Sequence, residues 1–216
     1  MKSGFIKKCN AVCRQRSGFT IVEIVVVLVI LGILCVLTVP NALGWLDYTE
    51  LKRQNGYAKT IYSAAQTRLT QYEVRGQLTA LANLIDDDNE QPDGYGYYLM
   101  AQKGDYAQYQ DLNLKGISGS DVDSLTDEDK NKKALFDLID PGVTDKSLLD
   151  AAICIELDPT PRVVKVYAVF YSDQGDDTQF VYGPAGGLGE VSISDRSYEA
   201  GNAGLIGYYG QITDVP

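Results

Sequence analysis

No histidine occurs anywhere in the 216 residues. Without an imidazole the chain cannot build a Ser-His-Asp or Cys-His catalytic set, a histidine-bound zinc site or the usual proton shuttle of neutral-pH catalysis. Cysteine is scarce as well: Cys9, Cys13, Cys35 and Cys154 are all there are. Cys9 and Cys13, with no histidine beside them, make a weak metal site, and palmitoylation or no role at all is the simpler reading. Cys35 lies in an apolar run and counts as a small apolar residue. That leaves Cys154 alone after it, so the larger part of the chain has no internal disulfide.

Positive charge is thin and unevenly spread. There are 19 lysines and arginines against 29 acids, and five of the bases (Lys2, Lys7, Lys8, Arg14, Arg16) precede Gly18. Without those five, 14 bases face 29 acids, a formal net of −15. Phosphate backbones are bound by clusters of Lys and Arg, and no such binding cluster stands out after residue 53, which disfavours nucleic acid as a partner. The glycine-rich stretch 183–189 is not followed by Lys-Ser or Lys-Thr, which makes it a loop rather than a phosphate cradle. Carboxylate pairs such as Asp173 with Asp176 sit in acidic surface runs without an apolar pocket to shift a pKa, so a solvated face explains them. The composition points away from an enzyme.

What the chain does have is one long apolar run. From Phe19 to Val39 the only charge is Glu23, and Pro40 follows. At 1.5 Å of rise per residue these positions make a helix of about 31 Å, the thickness of one bilayer core. The run has no polar face, as a buried soluble helix of that length would. It reads as a membrane span with its basic, amino-terminal flank in the cytoplasm. A secretory signal peptide would instead carry a shorter core followed by small residues. An ionisable group in such a span is a functional-site hypothesis, which singles out Glu23.

The segment Gly18-Phe19-Thr20-Ile21-Val22-Glu23-Ile24, with Gly32 inside the span and Pro40 at its end, resembles the signal sequence of type IV pilins and type II secretion pseudopilins. The resemblance implies that a prepilin peptidase cuts between Gly18 and Phe19 and that the new amine of Phe19 is methylated. It also implies that Glu23 of an incoming subunit pairs with the Phe19 amine of its neighbour during assembly. An unpaired carboxylate in lipid is costly, so such pairing sets register. Pairing of Glu23 with its own amine stays open in the unassembled subunit.

The expected fold is α+β and pilin-like: a long amino-terminal helix, its first half membrane-spanning, packed on a small antiparallel sheet. Four parts are expected: a cytoplasmic leader (1–18), the transmembrane half of the helix (19–39), its amphipathic half (40–76) and a globular αβ-loop and sheet region (77–216). Pro40 is expected to kink the helix. Beyond it Leu51, Ala58, Tyr62, Ala65, Leu69 and Tyr72 recur at helical spacing, and Gly76 is the expected stop. One helix is therefore expected from Thr20 to about Arg75. A short helix is expected over 77–85, an acidic turn over 86–94 and a loop with a short strand over 95–110. Residues 118–124 read as linker. A helix capped by Thr126 should run from Asp127 to Pro141-Gly142. Residues 152–157 and 162–171 read as a hairpin of strands around a two-proline turn, with shorter strands at 180–182, 191–193 and 204–209.

One cation site is considered. Asp173, Asp176 and Asp177 place three carboxylates on one glycine-containing turn, and calcium takes six to eight oxygens. The spacing is not that of an EF-hand, although the major pseudopilins of the resembling family bind calcium in a loop of the sheet region. No other cofactor is expected. The expected function is a structural filament subunit at the cell membrane, single-pass before assembly and then part of an extracellular or envelope filament. Its partners would be identical or related pilin subunits, the prepilin peptidase, the pilus assembly platform and the membrane. A minor pseudopilin of a secretion or competence system is the first alternative. A membrane-tethered binding protein or enzyme is the second.

Overall fold

The computed structural model describes residues 18–78, 81, 97–111, 114–157, 165–173, 179–181, 186–187, 190–193 and 205–210, with backbone only at 38–44, 97, 115, 119, 120 and 192. Within the expected short helix over 77–85, only 77, 78 and 81 are described; the acidic turn 86–94 lies outside the described residues. The chain divides into two compact units, Met1–Trp45 and Leu46–Pro216.

Helix α1 (Ile21–Arg75) starts in the first unit. Its described large apolar side chains there are all solvent-facing, from 47% exposed at Ile24 to 84% at Ile21. Val29, Gly32, Ile33, Val36 and Leu37 line a shallow apolar groove on this surface. A continuous apolar surface of this kind is not left in water by a stable monomer. Among the described residues no helix is long and apolar enough to cross a membrane. The described side chains of the run end at Leu37, two residues before the expected end of the span at Val39.

In the second unit α1 becomes amphipathic. Ala58, Ile61, Ala65 and Leu69 are fully buried, and Tyr57, Tyr62 and Tyr72 flank them. The helix ends where glycine is needed. Gly76 adopts φ 65°, its N–H donates to the Glu73 carbonyl at 3.0 Å, and the Gln77 N–H donates to the Tyr72 carbonyl at 2.9 Å. This paired bonding satisfies carbonyls that the helix end would otherwise orphan, and only glycine enters that backbone region without strain.

The buried stripe of α1 meets a four-stranded antiparallel sheet: β1 (Tyr97–Ala101), β2 (Ala152–Leu157), β3 (Val166–Ser172) and β6 (Gly207–Gly210), in the order β1-β2-β3-β6. Leu99, Ile153, Ile155, Val169 and Tyr171 face α1. Every residue of β2 is buried, because both faces of this central strand are covered. The register shifts between Glu156 and Leu157, with Glu156 opposite Ala168 and Leu157 opposite Val166. The extra residue, Tyr167, lets Val166 return to the helix side while Ala168 stays on the other.

The far face is closed by a second, two-stranded parallel sheet of β4 (Gln179–Val181) and β5 (Glu190–Ser192). Phe180, Val191 and Ile193 pack on Ala152, Cys154, Ala168 and Phe170. The runs at 180–182 and 191–193 are thus partners of each other, whereas the run at 204–209 becomes the edge strand beside β3. Burial, with the Glu156 carboxylate adding to it, pushes the Cys154 thiol well above its ordinary pKa and keeps it an inert core residue.

Between β1 and β2 lie α2 (Asp105–Asp111), a 3-10 turn at Gly119–Ser124 and α3 (Asp127–Ile139). Helix α2 and the turn occupy segments expected as loop and linker. Thr126 caps α3 as expected, its hydroxyl accepting from the Asp129 N–H at 3.2 Å. Helix α2 is held to α3 by two rungs with the same i, i+3 spacing on both sides. Tyr106 donates to Asp140 and Tyr109 to Asp137, each at 2.6 Å. Lys146 pairs with Asp140 at 3.0 Å and Lys133 with Asp137 at 2.8 Å. Burial, followed by the Asp140 hydrogen bond, pushes the Tyr106 phenol up to about 12, and burial followed by the Asp137 hydrogen bond raises Tyr109. Burial opposes the charge of Lys132, but hydrogen bonds to Glu128 and Asp105 outweigh it and raise its pKa.

Candidate assembly site at the amino terminus

Gly18 and Phe19 precede α1 without secondary structure, and Phe19 is 80% exposed. A Cβ on Gly18 would meet nothing within 4 Å, so among the described residues none crowds the bond from the glycine's side. A peptidase must reach the backbone of its target bond, and this geometry provides that access.

Glu23 lies one turn into the helix and folds back on its start. Its Oε2 accepts from the Thr20 backbone N–H and from the Thr20 hydroxyl, both at 2.8 Å. The Glu23 N–H donates back to the Thr20 hydroxyl at 3.3 Å. This reciprocal pair is a capping box, and Thr20 is therefore the cap while helical geometry begins at Ile21. The pattern Thr-x-x-Glu ahead of an apolar run carries that signal in the sequence. The Coulombic account of Glu23 missed it, because it asked only what the charge pairs with.

The capping box bears on assembly. Both Thr20 donors fall on one carboxylate oxygen, so the side chain is turned toward the amino terminus while Oε1 accepts no hydrogen bond among the described residues. The carboxylate is in place beside the exposed Phe19 with half its acceptor capacity unspent. Backbone helix geometry passes through Pro40, whose side chain lies outside the described residues.

The candidate cation set is divided. Asp176 and Asp177 lie outside the described residues. Asp173 directly follows β3 and is engaged from α1: Arg53 Nη1 lies 2.9 Å from its Oδ2, Arg53 Nη2 donates to its Oδ1 at 3.2 Å, and Gln54 Nε2 also donates to Oδ1. Glu50 holds the other side of the same guanidinium. Among the described residues no group of three or more acidic or cysteine side chains could hold a metal ion. Sequence reasoning missed this Arg53–Asp173 contact, since nothing local joins positions 120 apart.

The family model for the prokaryotic N-terminal methylation motif matches residues 13–39. The type II secretion system core protein G of Pseudomonas aeruginosa is 47% identical over 51 residues, 24% of this chain and 36% of that protein. The type IV major pilin protein PilA of Myxococcus xanthus is 27% identical over 91 residues, 42% of this chain and 40% of that protein. The chain thus spans well under two thirds of the length of the curated relatives it matches. No solved structure matches it significantly. The matched motif covers the glycine, the phenylalanine and the capping glutamate described above, and the two relatives are by name a secretion-system core protein and a major pilin. By its prepilin-type amino terminus, which carries the prokaryotic N-terminal methylation motif, and its helix-on-sheet layout, the chain is similar to the pilins and pseudopilins.

Proposed function

We propose that this protein is a structural subunit of a type IV pilus or a related filament. It is made as a prepilin, cut by a prepilin peptidase after Gly18, methylated at Phe19, held in the cell membrane by residues 19–39 and drawn into a filament through α1 by an assembly platform. It works as neither an enzyme nor a nucleic-acid binder and carries no resident cofactor.

The observation that carries this reading is the half-occupied Glu23 carboxylate beside Phe19. A membrane tether gains nothing from an acid in its span, which costs about 2.5–3.5 kcal/mol at a helix centre and less near an end. A subunit that must find the amine of a neighbour needs one, and two opposite charges attract far more strongly in lipid than in water. Thr20 holds the carboxylate in place beforehand, so less ordering is left for the encounter. The stronger identity to a secretion protein over the amino-terminal segment favours a pseudopilin of a secretion system as the second reading.

The test replaces Glu23 with Val in a background where it is the only copy. Export and cleavage should be normal, while recovery in the sheared filament fraction falls to background and membrane levels hold. Equal recovery of Glu23→Val and wild type would remove the mechanism.

A further inference from the structure

We infer that the outward face of α1 around Lys52 and Lys59 is a docking surface for a second copy of this chain, which presents the acidic corner of Asp121 and Asp123. The inference rests on the filament reading for its setting but concerns a different contact from that of Glu23.

The charge pattern carries it. Acids outnumber bases 29 to 19 in the whole chain, yet α1 from Leu46 onward reverses the balance, with Lys52, Arg53, Lys59, Arg68 and Arg75 against Asp47, Glu50 and Glu73. In so acidic a chain a lysine finds a carboxylate easily, as Lys130, Lys132, Lys133 and Lys146 do at 2.6–3.3 Å. Lys52 and Lys59 form no ion pair among the described residues. Each sits over a tyrosine ring instead, Lys52 Nζ 5.3 Å from the Tyr48 centroid and Lys59 Nζ 5.6 Å from that of Tyr209. The ring contacts hold the ammonium groups without neutralising them.

Seven residues apart, the two lysines lie two turns apart on one face. That face is exposed and lies opposite the side buried by Ala58, Ile61 and Ala65, with Lys59 at its border beside Tyr209 of the edge strand β6. On the outward line through Gly56, Ser63, Thr67 and Thr70 they are the only charges. The Thr67 and Thr70 hydroxyls donate to carbonyls of their own helix, at 2.7 Å and 3.0 Å, so they compete little for a partner's acids.

The complementary surface is on the same chain. Asp121 and Asp123 are exposed on the 3-10 turn Gly119–Ser124 and form no ion pair among the described residues. Exposed Asp127 and Glu128 follow at once and extend the negative field. Two different patches on one chain meet head to tail, and such a contact propagates without closing unless its rotation happens to form a ring. Charge complementarity of this kind sets register and rejects the wrong face.

The experiment uses the full-length chain in the cell that assembles it. The variants are Lys52→Glu/Lys59→Glu, Asp121→Lys/Asp123→Lys, and the four changes together, with protease resistance of the membrane form as the folding control. Each pairwise reversal should lower the filament fraction about tenfold or more, and the fourfold variant should recover to within about twofold. In parallel, copies with and without heavy-nitrogen label are mixed, treated with a zero-length carbodiimide cross-linker and mapped. A mixed-label link from Lys52 or Lys59 to Asp121 or Asp123 supports the contact even where no filaments form, which would overturn the filament reading alone. Normal filaments from the lysine reversal with no such link overturn the inference and leave the filament reading standing. So does a lysine reversal that loses membrane retention without any link, which would assign the face to anionic lipid headgroups, and so does a reversal that the aspartate changes fail to rescue.

Discussion

The Tyr106 hydroxyl donates to Asp140 Oδ1 at 2.6 Å in a buried setting, tying the short helix α2 to the turn that ends α3. The phenol must keep its proton for this bond to exist. Its pKa is raised to about 12 by burial and then by Asp140, against an ordinary value of about 10. A raised folded pKa means that the stabilisation is whole below about pH 10 and is lost as pH climbs through 12. Tyr106→Phe should cost about 1.5–3 kcal/mol at neutral pH, the range for a hydrogen bond to a charged acceptor. The gap between wild type and variant in urea midpoint should shrink between pH 10 and 12. A constant gap from pH 8 to 12 would mean that the phenol is not what holds α2.

Asp173 meets a guanidinium where a calcium site was considered, with Arg53 and Gln54 claiming its oxygens. Hydrogen bonds to Glu50 and then Tyr57 raise the pKa of Arg53 against the opposing effect of burial, and the Asp173 charge adds to them. Millimolar calcium should therefore leave the melting temperature of the wild-type protein unchanged, with magnesium as control. Arg53→Gln should cost no more than about 1 kcal/mol, because the pair is partly exposed. It should also make the melt calcium-responsive, since Asp173 is then released to join Asp176 and Asp177. A calcium-responsive wild type would place the ion in the loop despite Arg53.

The open Gly18–Phe19 bond sets a mass. Protein recovered from membranes should begin at Phe19 with one added methyl group, as intact-mass spectrometry reads it. Gly18→Ala should be cut in part, since alanine is still small, and a bulky residue there should leave the leader attached. A chain that starts at Met1 in the wild type, or that is cut near Pro40, contradicts the processing expected here.

The sheet was legible wherever burial is two-sided. Ala152–Leu157 reads as a strand because every position is apolar or small except Glu156, and β3 because β-branched and aromatic residues dominate it. The helix end at Gly76 was legible from glycine chemistry. Helix α2 was not, because its two apolar positions, Tyr106 and Tyr109, are stabilised by carboxylates more than 25 residues away. Nor could three-residue strands announce their partners: β4 and β5 are held by packing on Phe170 and Cys154, not by any pattern of their own. At the amino terminus the charge, the glycine and the apolar run were all readable, while the role of Thr20 waited on geometry.

One contact also bears on timing. Gly207 sits so close to α1 that a Cβ there would lie 2.2 Å from the Gln54 carbonyl carbon, and the next residue, Tyr208, donates its N–H to Asn55 at 2.8 Å across 153 positions. The last described strand thus closes on the first described helix. A chain delivered amino terminus first cannot make that closure until residue 208 has reached the compartment that holds residue 55. Pairings so distant in sequence are slow to form. On the filament reading proposed above, translocation and folding are therefore ordered events, and whatever carries the chain across the membrane handles an unclosed sheet with β3 still open along one edge.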